Sequence, residues 1–123
     1  MVNERQQFGQ ASEQMVAAFL KRNGYRIIER NYRTQVGEID IIAKQKGVLV
    51  FVEVKARRSD SYGDPKRAIT PAKKRKISMA ALVYLKSNGG VDQRARFDVV
   101  TVQNVAGRPK IEVIRNAFEL AYG

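Results

Sequence analysis

Residues 37–58 read GEIDIIAKQKGVLVFVEVKARR, and the fold follows from how this stretch is read. EIDIIAK (38–44) and VLVFVEVKAR (48–57) are rich in β-branched residues and are joined by Gln45-Lys46-Gly47, a tight turn with a glycine. They are expected to form an antiparallel hairpin bound for a core. Side chains alternate along a strand, so Val50, Val52 and Val54 point one way and Phe51, Glu53 and Lys55 the other. On the partner strand, Ile39, Ile41 and Ala43 are expected to share a face, leaving Glu38, Asp40 and Ile42 opposite. Asp40, Glu53 and Lys55 therefore interrupt apolar runs, where an unpartnered charge is costly.

Outward from the hairpin, YRIIERNYR (25–33) reads as a further strand, turned into the first by Gln35-Val36-Gly37. The three strands suggest an antiparallel meander. Upstream, Asn3 with Gln6 resembles a capping box with Glu4 in the first turn, and Phe8, Ala11, Met15, Ala18 and Phe19 form a helical stripe that ends at Asn23-Gly24. Downstream, residues 58–70 are polar and aperiodic, a long loop. Thr70-Pro71 is an N-cap followed by a first-turn proline. Ile77, Ala81, Tyr84 and Leu85 mark the buried face of a second helix, closed by Asn88-Gly89-Gly90. ARFDVVTVQ (95–103) and KIEVIR (110–115) are strands around a turn at Ala106-Gly107, and the tail NAFELAYG is expected to add a helical turn. The order α-β-β-β-α-β-β implies a right-handed crossover from the third strand to the fourth. It predicts an α/β fold with a mixed central sheet of about five strands flanked by helices, in one domain over residues 1–123.

Composition narrows the chemistry. The 123 residues contain no cysteine and no histidine. Disulfides, thiolate zinc sites, cysteine nucleophiles and imidazole bases are thereby excluded. Lys and Arg number 23 against 12 Asp and Glu, a formal charge of +11. That excess points to a polyanionic partner. No apolar run approaches the ~20 residues of a transmembrane helix, and MVNERQQFGQ lacks the apolar core of a signal peptide. The expectation is a cytoplasmic protein, off the membrane, that meets nucleic acid.

If the turn at 45–47 pairs the two strands, Asp40 comes onto one face with Glu53 and Lys55. Two adjacent carboxylates repel, and one is pushed toward protonation. A hard divalent cation removes that penalty, and Mg²⁺ keeps several waters, so two protein carboxylates suffice to hold it. A lysine on the same face reaches a scissile phosphate. Asp…Glu-x-Lys is thus the minimum equipment for metal-dependent phosphodiester hydrolysis. The same residues also fit a blander arrangement, a salt-bridged Glu53–Lys55 pair on a solvated face with Asp40 as a further exposed charge.

Lys73, Lys74, Arg75 and Lys76 crowd the first turns of the second helix, where cations oppose the helix dipole. A bound phosphate there gains from both the free amides and the cations. Arg57, Arg58, Lys66 and Arg67 flank the loop leading in. Together these residues read as a phosphate-tracking surface, or else as a solvated charge run. Arg94 and Arg96 precede the fourth strand and are placed to extend it. Tyr62 suits base stacking and loop packing equally.

GEIDIIA followed by VFVEVKAR resembles the PD-(D/E)xK superfamily, the restriction-endonuclease-like fold. The whole chain is similar to the bacterial YraN-type family, described as predicted endonucleases related to archaeal Holliday-junction resolvases. The likeness includes a glutamate in the first helix, NYR before GEID, YGDP in the loop and the lysine-rich helix start. It implies a restriction-endonuclease-like architecture and Mg²⁺- or Mn²⁺-dependent cleavage of DNA, at branched or damaged structures. Carried over by position, Asp40 and Glu53 would hold the metal with the Val54 carbonyl as a third ligand. Lys55 would orient or deprotonate water, and Glu13 would hold a water or a second metal. Ile39 stands where the superfamily name has proline. Without the resemblance, Glu13 fits an ordinary position at the edge of the apolar stripe. Resolvase relatives act as homodimers, although no segment here reads as an interface. A non-catalytic nucleic-acid-binding module that keeps the nuclease fold is the alternative, and a sheet protein with a structural acidic cluster is a third.

Overall fold

The charged hairpin forms the centre of a five-stranded sheet in the computed structural model, which describes residues 4–57, 69–90, 92–105 and 107–119. The elements run α1 (Glu4–Arg22), β1 (Arg26–Arg33), β2 (Glu38–Gln45), β3 (Val48–Arg57), α2 (Pro71–Ser87), β4 (Ala95–Val105) and β5 (Arg108–Phe118). Strands lie in sequence order, all neighbours antiparallel except β3 and β4, which are parallel. This is the α/β mixed sheet and the α-β-β-β-α-β-β order expected from the sequence. The parallel step is the one that needs a crossover, and α2 lies within it. Among the described residues no helix is long and apolar enough to cross a membrane.

The β2–β3 turn is tight because Lys46 (φ 50°) and Gly47 (φ 80°) both take left-handed backbone, which matches the twist of the flanking strands. α2 starts as expected: Thr70 Oγ1 accepts from the Lys73 amide at 3.2 Å, and Pro71 fills the first turn. Asn3, the expected cap of α1, lies outside the described residues.

Each face of the sheet carries one core cluster. Val16, Ala17 and Leu20 of α1 pack with Tyr25 on Ile41, Ala43, Val50, Val52, Val100 and Val102. Ile77, Ala80, Ala81, Tyr84 and Leu85 of α2 pack on Ile39, Ile42, Leu49, Phe51, Phe97, Val99 and Phe118. The α1 stripe differs from the expected one. Ser12, Val16, Ala17 and Leu20 are buried, Met15 and Phe19 only half-buried, and Ala11 and Ala18 exposed. The larger side chains rim the contact, and a narrower face rotated by about one residue makes it. Glu13 shares that rotated face, since positions three, four and seven residues on point the same way.

Ile39 is the second correction. It packs with Ile42 under α2, whereas Ile41 and Ala43 face α1, so alternation along β2 breaks at Asp40. The break coincides with an irregularity on β1. Arg30 pairs with Ile41 and Tyr32 with Ile39, which sets Asn31 against Asp40, and Asn31 has φ 54°. A left-handed residue inside a strand reorients the residues after it, and asparagine is among the few side chains that tolerate it. The third correction is the tail. β5 continues through Asn116, Ala117 and Phe118, where a helical turn was expected, and Phe118 stacks on Phe97 with ring centroids 4.7 Å apart.

Candidate active site

The β2–β3 ladder runs from Gln45↔Val48 to Ile41↔Val52. Continued by one rung, it sets Asp40 opposite Glu53. It does not continue as backbone pairing: the Val54 amide donates to Asp40 Oδ2 at 2.8 Å. A carboxylate thus takes the place of the next carbonyl, and the hairpin opens at that end. In an extended residue N–H and C=O point to the same side, so the Val54 carbonyl faces the same gap.

Glu53 follows Phe51 onto the α2 face and is 4% exposed. Its partner is on the helix: Lys73 Nζ lies 3.0 Å from Glu53 Oε1. Burial, then the adjacent Asp40, pushes the Glu53 carboxyl up to about 7, against the opposing pull of Lys73. Burial also raises Asp40, offset by the Val54 amide and Lys73. Asp40 and Glu53 lie close enough at the open end of the hairpin for each to perturb the other's carboxyl. Glu53 therefore titrates close to neutrality, with the Lys73 ammonium beside it.

Docking of α2 against the hairpin makes this possible. Thr34 Oγ1 accepts from the amides of Val36 and Gly37 at 3.1 and 3.0 Å and so rigidifies the β1–β2 turn. Gly37 presses on α2 so closely that a Cβ there would collide with the backbone carbonyl of Lys76. That contact holds the first turns of α2 above the hairpin and aims Lys73 at Glu53. The resulting cleft, about 570 Å³, is lined by Arg33, Thr34, Glu38, Asp40, Glu53, Lys73 and Lys76, among others.

Glu13 approaches from the α1 side. Its Oε1 is buried with no hydrogen-bond partner. Burial raises its carboxyl, and Asp40 adds to the rise while Arg30 opposes it. It lines a second opening with Arg30, Asn31, Arg33 and Glu38, and Arg33 and Glu38 border both openings. Glu38 itself is exposed and sits 3.6 Å from Arg33 Nε.

The remaining predicted residues divide. Lys55 is half-buried and close enough to lower the Glu53 carboxyl; no ion pair or hydrogen bond joins it to another described residue. Lys76 borders the cleft and Arg75 is exposed. Lys74 turns back over the Phe118 ring, 5.8 Å from its centroid. Arg58, Tyr62, Lys66, Arg67 and the side chain of Arg57 lie outside the described residues. Arg94 and Arg96 stand at the opposite end of the sheet from Glu53, where β3 and β4 begin. Sequence reasoning placed Lys73 among the phosphate contacts and missed its pairing with Glu53; no local pattern signals a bond between residues 20 positions apart.

Among the described residues no three acidic side chains converge into a metal cage. Two carboxylates, the Val54 carbonyl beside them and the unpartnered Glu13 oxygen beyond suit a hard cation that keeps most of its water.

Family comparison agrees with the extent of these features. The model of the uncharacterised protein family UPF0102 matches residues 12–102, a span that includes Glu13, Asp40, Glu53, Lys55 and Lys73. A UPF0102 protein of Desulfosudis oleivorans is 60% identical over 120 residues, covering 97% of this chain and 95% of the relative. UPF0102 proteins of Syntrophus aciditrophicus and Desulforapulum autotrophicum are 52% and 50% identical, with 94% and 97% of this chain covered and 91% and 98% of theirs. The matched span exceeds half the chain and the relatives align nearly end to end, so the protein belongs to the uncharacterised protein family UPF0102.

Proposed function

We propose that the protein is a restriction-endonuclease-like nuclease of the PD-(D/E)xK kind that hydrolyses DNA phosphodiester bonds with Mg²⁺ or Mn²⁺. The observation that carries this reading is the Asp40–Glu53 pair at the open end of the hairpin, both carboxyls raised by burial, in a chain of charge +11. A pair that raises its own proton affinity by repulsion is also a pair that a cation can occupy by displacing that proton.

Asp40 and Glu53 would hold the cation, with the Val54 carbonyl beside them. The cation, when bound, supplies a Lewis acid for a phosphoryl oxygen and acidifies water. Val54 N–H keeps Asp40 oriented. Lys73 Nζ, already 3.0 Å from Glu53, balances the charge of the pair and is positioned to meet a phosphoryl oxygen. Lys55 shares the Glu53 face and supplies the second ammonium, free to orient water or steady charge developing on the phosphate. The buried Oε1 of Glu13 accepts a proton or orients water from the α1 side. Arg75 and Lys76 lie along the helix end and contact the polyanion backbone.

A second reading, a nucleic-acid-binding module without catalysis, has one observation on its side: Lys73 already neutralises Glu53. One experiment separates the two. Wild type and an Asp40→Asn, Glu53→Gln double variant are incubated with linear, flapped and four-way DNA, with Mn²⁺, Mg²⁺ or EDTA. Cation-dependent cleavage of any substrate by wild type alone is the expected result. Binding without cleavage by both proteins on every substrate selects the second reading.

A further inference from the structure

A separate cleft of about 520 Å³ opens where β3 and β4 begin, lined by Val48, Arg94, Ala95, Arg96, Arg115 and Asn116. Leu49 is level with Ala95 and Lys44 there, and Glu53 is four residues further along β3. At about 3.3 Å per residue the two sites stand roughly 13 Å apart along the strand.

This end is built around one acid. The side chain of Asp98 is fully buried and takes bonds from three segments. Tyr25 Oη donates to Oδ2 at 3.2 Å, Arg96 Nε donates to Oδ1 at 3.0 Å, and the Asn116 amide donates to Oδ1 at 2.9 Å. The last bond holds an irregularity in β5: Phe97 pairs with Phe118 but Val99 with Ile114, so three residues oppose Asp98. Asn116 sits in it with φ 53°. Such bulges re-aim the residues they contain, and Arg115 and Asn116 are the ones that border the cleft.

Gln45 then ties the arginines together. Its Oε1 accepts from Arg96 Nη2 at 2.6 Å and from Arg115 Nη2 at 3.4 Å. None of the bonds that fix Arg96 uses its Nη1. Three guanidinium groups thus border a cleft whose described lining contains no acid, because Asp98 is sealed beneath it. A fold seeking stability alone would not gather these cations.

We propose that this cleft is a phosphate-binding site distinct from the carboxylate pair. Several guanidinium forks around an open cleft match a tetrahedral anion with several oxygens and more than one charge. A polynucleotide backbone and free phosphate present the same group, and the test separates them. The proposal does not depend on nuclease activity.

The test uses the full chain and an Arg94→Gln, Arg115→Gln double variant. Both positions are exposed, and Arg96, which supports Asp98, is left intact. Inorganic phosphate is titrated while backbone amide and arginine Nε resonances are followed. A labelled duplex is titrated in EDTA over a range of salt. Phosphate is expected to move the signals of Arg94, Arg96, Arg115 and Asn116 and to bind the variant at least fivefold more weakly. A duplex salt slope shallower by roughly two units in the variant identifies a polynucleotide backbone as the source. An unchanged slope with lost phosphate binding identifies free phosphate. A charge-preserving Arg94→Lys, Arg115→Lys variant should keep the duplex salt slope but bind phosphate more weakly than wild type, and unchanged thermal melts of both variants separate loss of the site from loss of fold. The proposal is overturned if the Gln variant matches wild type in both phosphate affinity and salt slope.

Discussion

Replacing Glu53 by glutamine should change how stability depends on pH, by an amount the site itself sets. In the metal-free protein the Glu53 carboxyl is pushed from 4.5 to about 7. The folded state therefore binds this proton more tightly than the unfolded chain. The contribution to stability is complete below about 4.5 and is lost as pH rises to about 7, since stability falls wherever the native state holds more protons. At 1.36 kcal/mol per tenfold step, the loss is roughly 3 kcal/mol. With an unfolding entropy of about 2.1 cal/mol/K per residue, it corresponds to about 12 °C in melting temperature for a chain of this size. Glu53→Gln keeps the shape and a hydrogen bond but has no proton to lose. Melts of both proteins in EDTA between pH 4.5 and 8 should show the wild type falling relative to the variant across that window and running parallel above it. Taking the difference cancels the acids away from the site, while Asp40, coupled to Glu53, remains part of what the difference reads. Mn²⁺ at pH 8 should restore the wild type and leave the variant unmoved. A difference constant to within about 2 °C from pH 4.5 to 8 would refute the upward displacement of the Glu53 carboxyl.

Gly37→Ala drives a methyl group into the Lys76 carbonyl, so the turn must lift from α2. About 1–3 kcal/mol of stability should be lost in urea unfolding, and a wild-type midpoint would mean that the turn yields freely. Lys55→Ala should abolish cleavage with little change in DNA affinity, measured by gel assay and anisotropy; wild-type rates would make Lys55 a structural residue. Arg75→Gln with Lys76→Gln should weaken binding of all DNA sequences alike and flatten the salt slope by roughly two units. Calorimetric cation binding at Asp40 and Glu53 should be untouched, and an unchanged slope would place the DNA path elsewhere.

The strands were legible because their signals are local. β-branched runs with glycine-bearing turns at 35–37 and 45–47 specify hairpins whatever surrounds them, and Thr70-Pro71 announces a helix in two residues. Asp40, Glu53 and Lys55 were legible because charges inside apolar runs demand a reason. The features that escaped depend on partners distant in sequence. The face taken by Ile39 goes with a left-handed Asn31 on the neighbouring strand, which no pattern within β2 announces. The buried edge of α1 follows from which helical face meets the sheet, and side-chain size misleads there. Lys73 belongs to Glu53 because Gly37 seats the helix where it does. The tail stays extended because β4 offers it a partner, Asp98 holding the Asn116 amide.

The Asp98 cluster also bears on the order in which the chain assembles. Its members are drawn from the α1–β1 junction and from β2, β4 and β5, with partners 73, 71 and 51 positions apart in the chain. None of these bonds can form until β4 has docked beside β3 and the α1–β1 junction has closed over it. The β1–β2–β3 meander needs only neighbouring segments and has no such wait, since contacts of short sequence separation form at the lowest entropic cost. These separations predict that the cluster closes late, as a latch on a sheet already made. Its strength is felt in the rate at which the protein opens and scarcely in the rate at which it folds. The phosphate cleft built on it is then the last part of the molecule to be completed and the first to be lost.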